Sequence, residues 1–204
     1  MAIRRPRPKW LRFTEETNAL DYLERAGEFI RLTETDQRAW KWAILSLHGA
    51  LYGFAIVACK GTSPDIVTRT TKRGRRYLLS LEEALRMCQD QTWMGTLEGG
   101  QALSLSPSQS DSVRKVKATL RNNFEHYTPG GWSIEIHGLP TIAMDILDVI
   151  RFLSVETFRY QNLKQRQRRK IRSIVFQSKR FLRRSALHKE ALAMAEEASS
   201  TPRE

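Results

Sequence analysis

The spacing of apolar residues along the chain predicts helix for most of its length. Within 14–31 (TEETNALDYLERAGEFIR), Leu20, Leu23, Phe29 and Ile30 fall near one side of a short amphipathic helix. Thr35 or Asp36 is placed to cap a second helix that reaches about Lys60 and is stopped by Gly61 and Pro64. Residues 61–79 read as a loop carrying a basic KRGRR cluster. Ser80-x-x-Glu83 matches a capping box and predicts a helix to about Met94. After a second loop, Ser106-Pro107 opens a helix through VRKVKATLRNNFEHY, since proline is tolerated in a first turn, and Pro129-Gly130-Gly131 ends it. WSIEI (132–136) alternates apolar and polar residues, as a short strand or extended segment does. From Pro140 onward Ile142, Ile146, Val149, Ile150 and Leu153 recur at helical spacing. That helix is expected to continue into a basic stretch where Ile171, Ile174, Val175, Phe181 and Leu182 leave a thin apolar stripe. The fold class expected is all-α: a four- to five-helix bundle over 14–158, preceded by a basic arm at 1–13. A long basic helical extension (159–198) and a disordered tail (199–204) follow it.

One of these helices bears on the compartment. Residues 42–59 (WAILSLHGALYGFAIVAC) run without a formal charge and contain Gly49-x-x-x-Gly53, a spacing that lets helices approach closely in a bilayer. Eighteen residues is near the short limit for a span, and Ser46 and His48 sit inside it. A helix apolar on all sides also suits the centre of a soluble bundle, and that is the expectation.

Charge sharpens the picture. The 204 residues carry a net charge of +12, unevenly distributed. Residues 1–12 hold +5, residues 13–150 hold −2, residues 151–190 hold +11 and residues 191–204 hold −2. A nearly neutral body with two basic flanks attracts polyanions; nucleic acid is the expected partner and anionic membrane the second candidate, with Arg166, Arg168, Arg169, Lys170 and Arg172 as the expected nucleic-acid-binding residues. Two cysteines cannot form a disulfide framework, no metal-ligand spacing occurs, and the basic start lacks the apolar run of a secretory signal. A cytoplasmic protein without metal or cofactor is therefore expected, and membrane association is not.

The strongest candidate for chemistry is Leu120-Arg121-Asn122-Asn123-Phe124-Glu125-His126-Tyr127, at the end of a predicted helix. An imidazole shuttles protons near neutral pH and a guanidinium forks onto phosphate oxygens, so Arg121 and His126 suit phosphodiester cleavage. Five residues apart, they are separated by about 500° of helical rotation, and they meet only if the helix end loosens or the arginine bends back. Elsewhere His48 reads as a hydrogen-bonded core or groove histidine, and His188 has no companion. Cys59 and Cys88 read as small buried hydrophobes. His137 follows WSIEI and lies within reach of the site through the glycine-rich loop. Asp145 and Asp148 lie three apart but lack further convergent ligands, and Trp93 and Trp132 are core anchors or base-stacking platforms.

Arg121-Asn122-x-x-x-His126 resembles the R-[polar]-x(3–5)-H signature of the HEPN superfamily (higher eukaryotes and prokaryotes nucleotide-binding), whose members are helical bundles with the signature at a helix end. The resemblance spans roughly 36–158, with only the Arg-Asn…His stretch specific. It implies a metal-independent endoribonuclease of the toxin or antiviral-defence kind, acting as a homodimer that brings two motif copies together. His126 is then the general acid/base, Arg121 the phosphate ligand and Asn122 an orienting group. An antitoxin or nucleotidyltransferase-type partner is also implied. In some members such a partner modifies a tyrosine two places after the histidine. Position 128 here is threonine, and the tyrosine is Tyr127, which argues against silencing by that route. The alternative is a non-catalytic nucleic-acid-binding helical protein using the basic C-terminal helix.

Overall fold

The computed structural model describes residues 9–61, 63–96, 100–125, 131–157 and 163–200. It is mostly helical, in keeping with an all-α class.

Helix α1 (Glu15–Leu32) starts at Thr14, whose hydroxyl accepts from the Thr17 amide while the Thr17 hydroxyl accepts from the Thr14 amide. These bonds satisfy donors that the first helical turn leaves without partners. Its buried face is Ala19, Leu20, Leu23, Ala26, Gly27 and Ile30. Helix α2 (Ala39–Lys60) begins later than the sequence suggests. Arg38 is its N-cap and makes no side-chain capping bond. Asp36 instead organises the preceding turn by accepting from the Arg38 amide at 2.9 Å. Gly61, with φ of +58°, ends the helix. α2 runs antiparallel to α1, with Lys60 Nζ at 3.4 Å from Glu15 and 3.8 Å from Glu16 at the start of α1. Among the described residues α2 is the one helix long and apolar enough to cross a bilayer, yet 67% of its most apolar window is buried by the rest of the fold. Phe54, Ile44, Leu47 and Leu51 of this helix are among the largest fully buried side chains.

The segment read as a loop after α2 has structure of its own. A 3₁₀ turn (Pro64–Val67) leads into an antiparallel hairpin of β1 (Thr68–Thr70) and β2 (Arg76–Leu78), with Arg69 opposite Tyr77. Each strand is only three residues long and largely exposed, so it leaves no apolar alternation to read. Helix α3 (Leu81–Gln89) opens with the expected box: the Ser80 amide donates to Glu83 at 2.7 Å and the Glu83 amide to the Ser80 hydroxyl at 3.3 Å. It stops short of Met94 because the Asp90 carboxylate accepts from the Thr92 and Trp93 amides and starts a separate turn, α4 (Gln91–Met94).

Helix α5 (Pro107–Lys115) is boxed by Ser106 and Gln109. It widens into a π segment (Val116–Arg121) and closes as α6 (Asn122–Glu125). Residues 132–136 form no regular secondary structure and pair with no strand among the described residues. Helix α7 (Leu139–Arg151) ends in a second π segment (Phe152–Glu156). The basic stretch does not simply continue it. Lys164 is extended, with ψ of 154°, and α8 (Gln165–Arg184) starts afresh there. Nor does α8 project from the body. Ile171, Val175 and Leu182 belong to the same apolar cluster as α1, α2 and α7, so this part of the expected extension shares the core. Ser185 turns the chain into α9 (Ala186–Ser200), which carries helix into the segment expected to be a disordered tail.

Candidate active site

The π segment sets the position of Arg121. Val116 and Leu120 are its buried anchors, leaving the arginine at the edge of the core where the helix is about to end. Wide turns of this kind occur often at functional sites, since they re-aim a side chain without breaking the helix. The guanidinium is held on two sides. Its Nη2 lies 2.5 Å from the Glu125 carboxylate one turn on, and its Nη1 donates to Asn122 Oδ1 at 3.1 Å. Asn122 is itself fixed by donating from Nδ2 to the Ala118 carbonyl at 3.3 Å. Arg121 Nε is buried with no hydrogen-bond partner among the described residues. A buried donor left unmade is costly.

Facing this arginine from α2 is His48. Burial pushes its pKa below the ordinary histidine value, the Arg121 charge lowers it further, and the Glu125 carboxylate offsets part of the effect. Both the burial and the neighbouring guanidinium oppose protonation of this imidazole. One turn further along α2, Tyr52 has its ring 6.5 Å from that of His48 and donates its hydroxyl to the Leu79 carbonyl at 2.5 Å. Burial raises the tyrosine's pKa, and so does the charge of Glu83. An aromatic edge completes the surroundings: Phe124 of α6 and Trp132 stack at a tilt, centroids 5.2 Å apart, with Trp132 40% exposed. Gly131 has a φ of +75°, a backbone angle that suits glycine.

Of the expected catalytic residues, the structure brings Arg121 and Asn122 into direct contact. His126 lies outside the described residues. His137 is turned elsewhere, with Nδ1 at 2.6 Å from Glu135 and Nε2 at 3.5 Å from Glu190 of α9. His48 and Glu125 are the members that the sequence reading did not assign to the site. The signal for His48 was available, since His48-x-x-x-Tyr52 puts two polar tips on one stripe of an otherwise apolar helix. Among the described residues no three His, Cys, Asp or Glu side chains converge as a metal site. Asp145 accepts from the Ser108 and Ser112 hydroxyls at 2.7 Å each, and Asp148 pairs with Lys179. Cys59 and Cys88 are buried free thiols whose sulfurs lie 3.5 Å apart.

The expected RNA-binding residues divide. Arg166, Arg169 and Arg172 are exposed at the start of α8. Arg168 Nε donates to the Leu163 carbonyl at 3.4 Å, and Lys170 pairs with Glu24 at 2.6 Å, which offsets its charge. No family model, no curated protein and no solved structure matches the chain.

Proposed function

We propose that this chain is a HEPN-type, metal-independent endoribonuclease acting in the cytoplasm as a homodimer. The observation that carries the reading is Arg121: a half-buried guanidinium at a helix end, oriented by Asn122, with one donor unused and a neutral imidazole opposite. Such a group binds a phosphodiester and meets the charge that grows on its oxygens during attack. The ribose 2′-oxygen attacks phosphorus, its proton passes to an imidazole base, and the bond to the 5′-oxygen breaks as that oxygen takes a proton from an acid. The products are a 2′,3′-cyclic phosphate and a free 5′-hydroxyl. His126 is the acid/base that the motif supplies, and two motif copies in a dimer supply the pair. Glu125 holds Arg121 while no phosphate is present, and substrate competes with that carboxylate for the guanidinium.

The test is incubation of the protein with labelled RNA in EDTA, wild type beside His126→Ala. Cleavage by the wild type alone, with DNA left intact, supports the reading. Cleavage that needs a metal ion, or survives in His126→Ala, removes it. The basic surface of α8 favours a second reading, a non-catalytic RNA-binding protein, which becomes the better one if RNA is bound but never cut.

A further inference from the structure

Along the outer side of α8, where it passes the end of α7, runs a groove of about 510 Å³. Arg172, Phe176, Arg180 and Arg183 line it at helical spacings of four, four and three, so they form one stripe, with Arg184 beside its end. The adjoining face of α8 is fastened to the core through Ile171, Val175, Ser178 and Leu182, with Val175 also at the floor of the groove, which makes the stripe a fixed platform. The two acids in the groove are already occupied: Asp148 pairs with Lys179, and Glu156 lies 3.4 Å from Arg151. Arg172, Arg180, Arg183 and Arg184 have no acidic partner among the described residues. In the middle of this unneutralised charge sits Phe176, a residue 65% exposed.

An apolar ring flanked by guanidinium groups is the arrangement that holds an unpaired nucleic-acid strand. The ring stacks a base whatever its identity, and the forks hold the phosphates on either side. A paired duplex offers no free base face to such a ring. An anionic lipid surface meets the charge, but one aromatic ring gives it little apolar anchorage. We propose that this groove binds a single unpaired RNA strand, with a base stacked on Phe176 and its neighbouring phosphates held by Arg172, Arg180, Arg183 and Arg184. The choice of RNA rests on the ribonuclease reading, and the groove is how such an enzyme selects unpaired substrate.

The test is fluorescence anisotropy with a labelled 2′-O-methyl RNA of about ten nucleotides, which the wild-type protein can bind but not cut, as a single strand and as a duplex. Phe176→Ala should weaken single-strand binding about five- to a hundredfold, while Phe176→Tyr should hold it within about threefold. Circular dichroism of each variant checks the fold, which an exposed ring does little to maintain. Arg172→Gln with Arg180→Gln should reduce the slope of log affinity against log salt by about 1.4, as two released counterions on a single strand require. Single-strand binding unchanged in Phe176→Ala overturns the proposal. So does duplex binding as tight as single-strand binding, or capture by phosphatidylserine vesicles with no RNA binding. The two readings fail separately. Phe176-dependent binding without any cutting of unmodified RNA removes the nuclease and leaves the groove, and cutting with unimpaired binding in Phe176→Ala does the reverse.

Discussion

Replacing Gly53 by alanine should destabilise the protein, although alanine is the better helix former. A Cβ built at Gly53 lies 2.7 Å from the Cβ of Ala19 and 3.2 Å from its Cα, so it meets the backbone region of α1 rather than a side chain that can swing away. Carbon atoms settle at about 3.5–4.0 Å, so the two helices must separate locally by about 1 Å. Forcing extra volume into a close-packed contact costs about 1–3 kcal/mol, and the gain in helix propensity returns about 1 kcal/mol. The expected net loss is up to about 2 kcal/mol, or a fall in Tm of up to about 8 °C for a chain of this size. Gly49→Ala is the internal control. The three atoms nearest its Cβ all belong to the ring of Tyr22, the closest at 2.6 Å, and that residue is 42% exposed, so the contact is with the end of a side chain. The propensity gain should therefore cancel most of the cost at Gly49. Urea unfolding with constant m-value measures both, and combining Gly53→Ala with Ala19→Gly should recover part of the loss. Raised stability in Gly53→Ala would refute the claim that α1 and α2 meet backbone to backbone here. The contact matters for function because α2 carries His48 toward Arg121.

Three further outcomes follow from the site and its surroundings. Arg121→Lys keeps the charge but loses the fork, so RNA cleavage should slow at least tenfold while RNA affinity changes little; equal losses in both would show that the residue only binds. Glu125→Gln removes the carboxylate that raises the His48 pKa, so the imidazole should titrate still lower by NMR; a rise would refute the placement of the three groups. Because folding depresses the His48 pKa, the unfolded chain takes up the proton first. Stability is therefore complete above the ordinary value of 6.5 and falls as pH drops through the lowered one, and His48→Gln should flatten that fall in thermal melts. Neutralising Arg166, Arg168 and Arg169 should reduce the salt slope of RNA binding more per residue than neutralising Lys170, which Glu24 already offsets; an equal effect would show that this ion pair does not persist in solution.

The sequence by itself determined the elements whose cause is local. The capping boxes at Ser80 and Ser106 are read directly, because a hydroxyl and a longer side chain three residues apart satisfy the donors of one turn without help from elsewhere. The apolar faces of α1 and α7 are equally plain from their spacing, and so is the concentration of positive charge on α8. Tertiary structure decided what depends on partners distant in the chain. The β1–β2 hairpin is too short and too exposed to announce itself. Whether α2 lies in lipid or in protein depended on whether α1, α3 and α7 cover it, since a helix apolar on every side fits both. The thin apolar stripe was expected on a helical extension, but on α8 it docks on the core, and docking aims Phe176 and its arginines into a groove. The candidate site divides along the same line. Arg121 and Asn122 are neighbours in sequence and were legible as a pair, whereas His48 is more than seventy residues away on another helix. Its lowered pKa and its place opposite the guanidinium exist only once α2 is packed against the π segment, because a charge and a low-dielectric wall act through space and not along the chain.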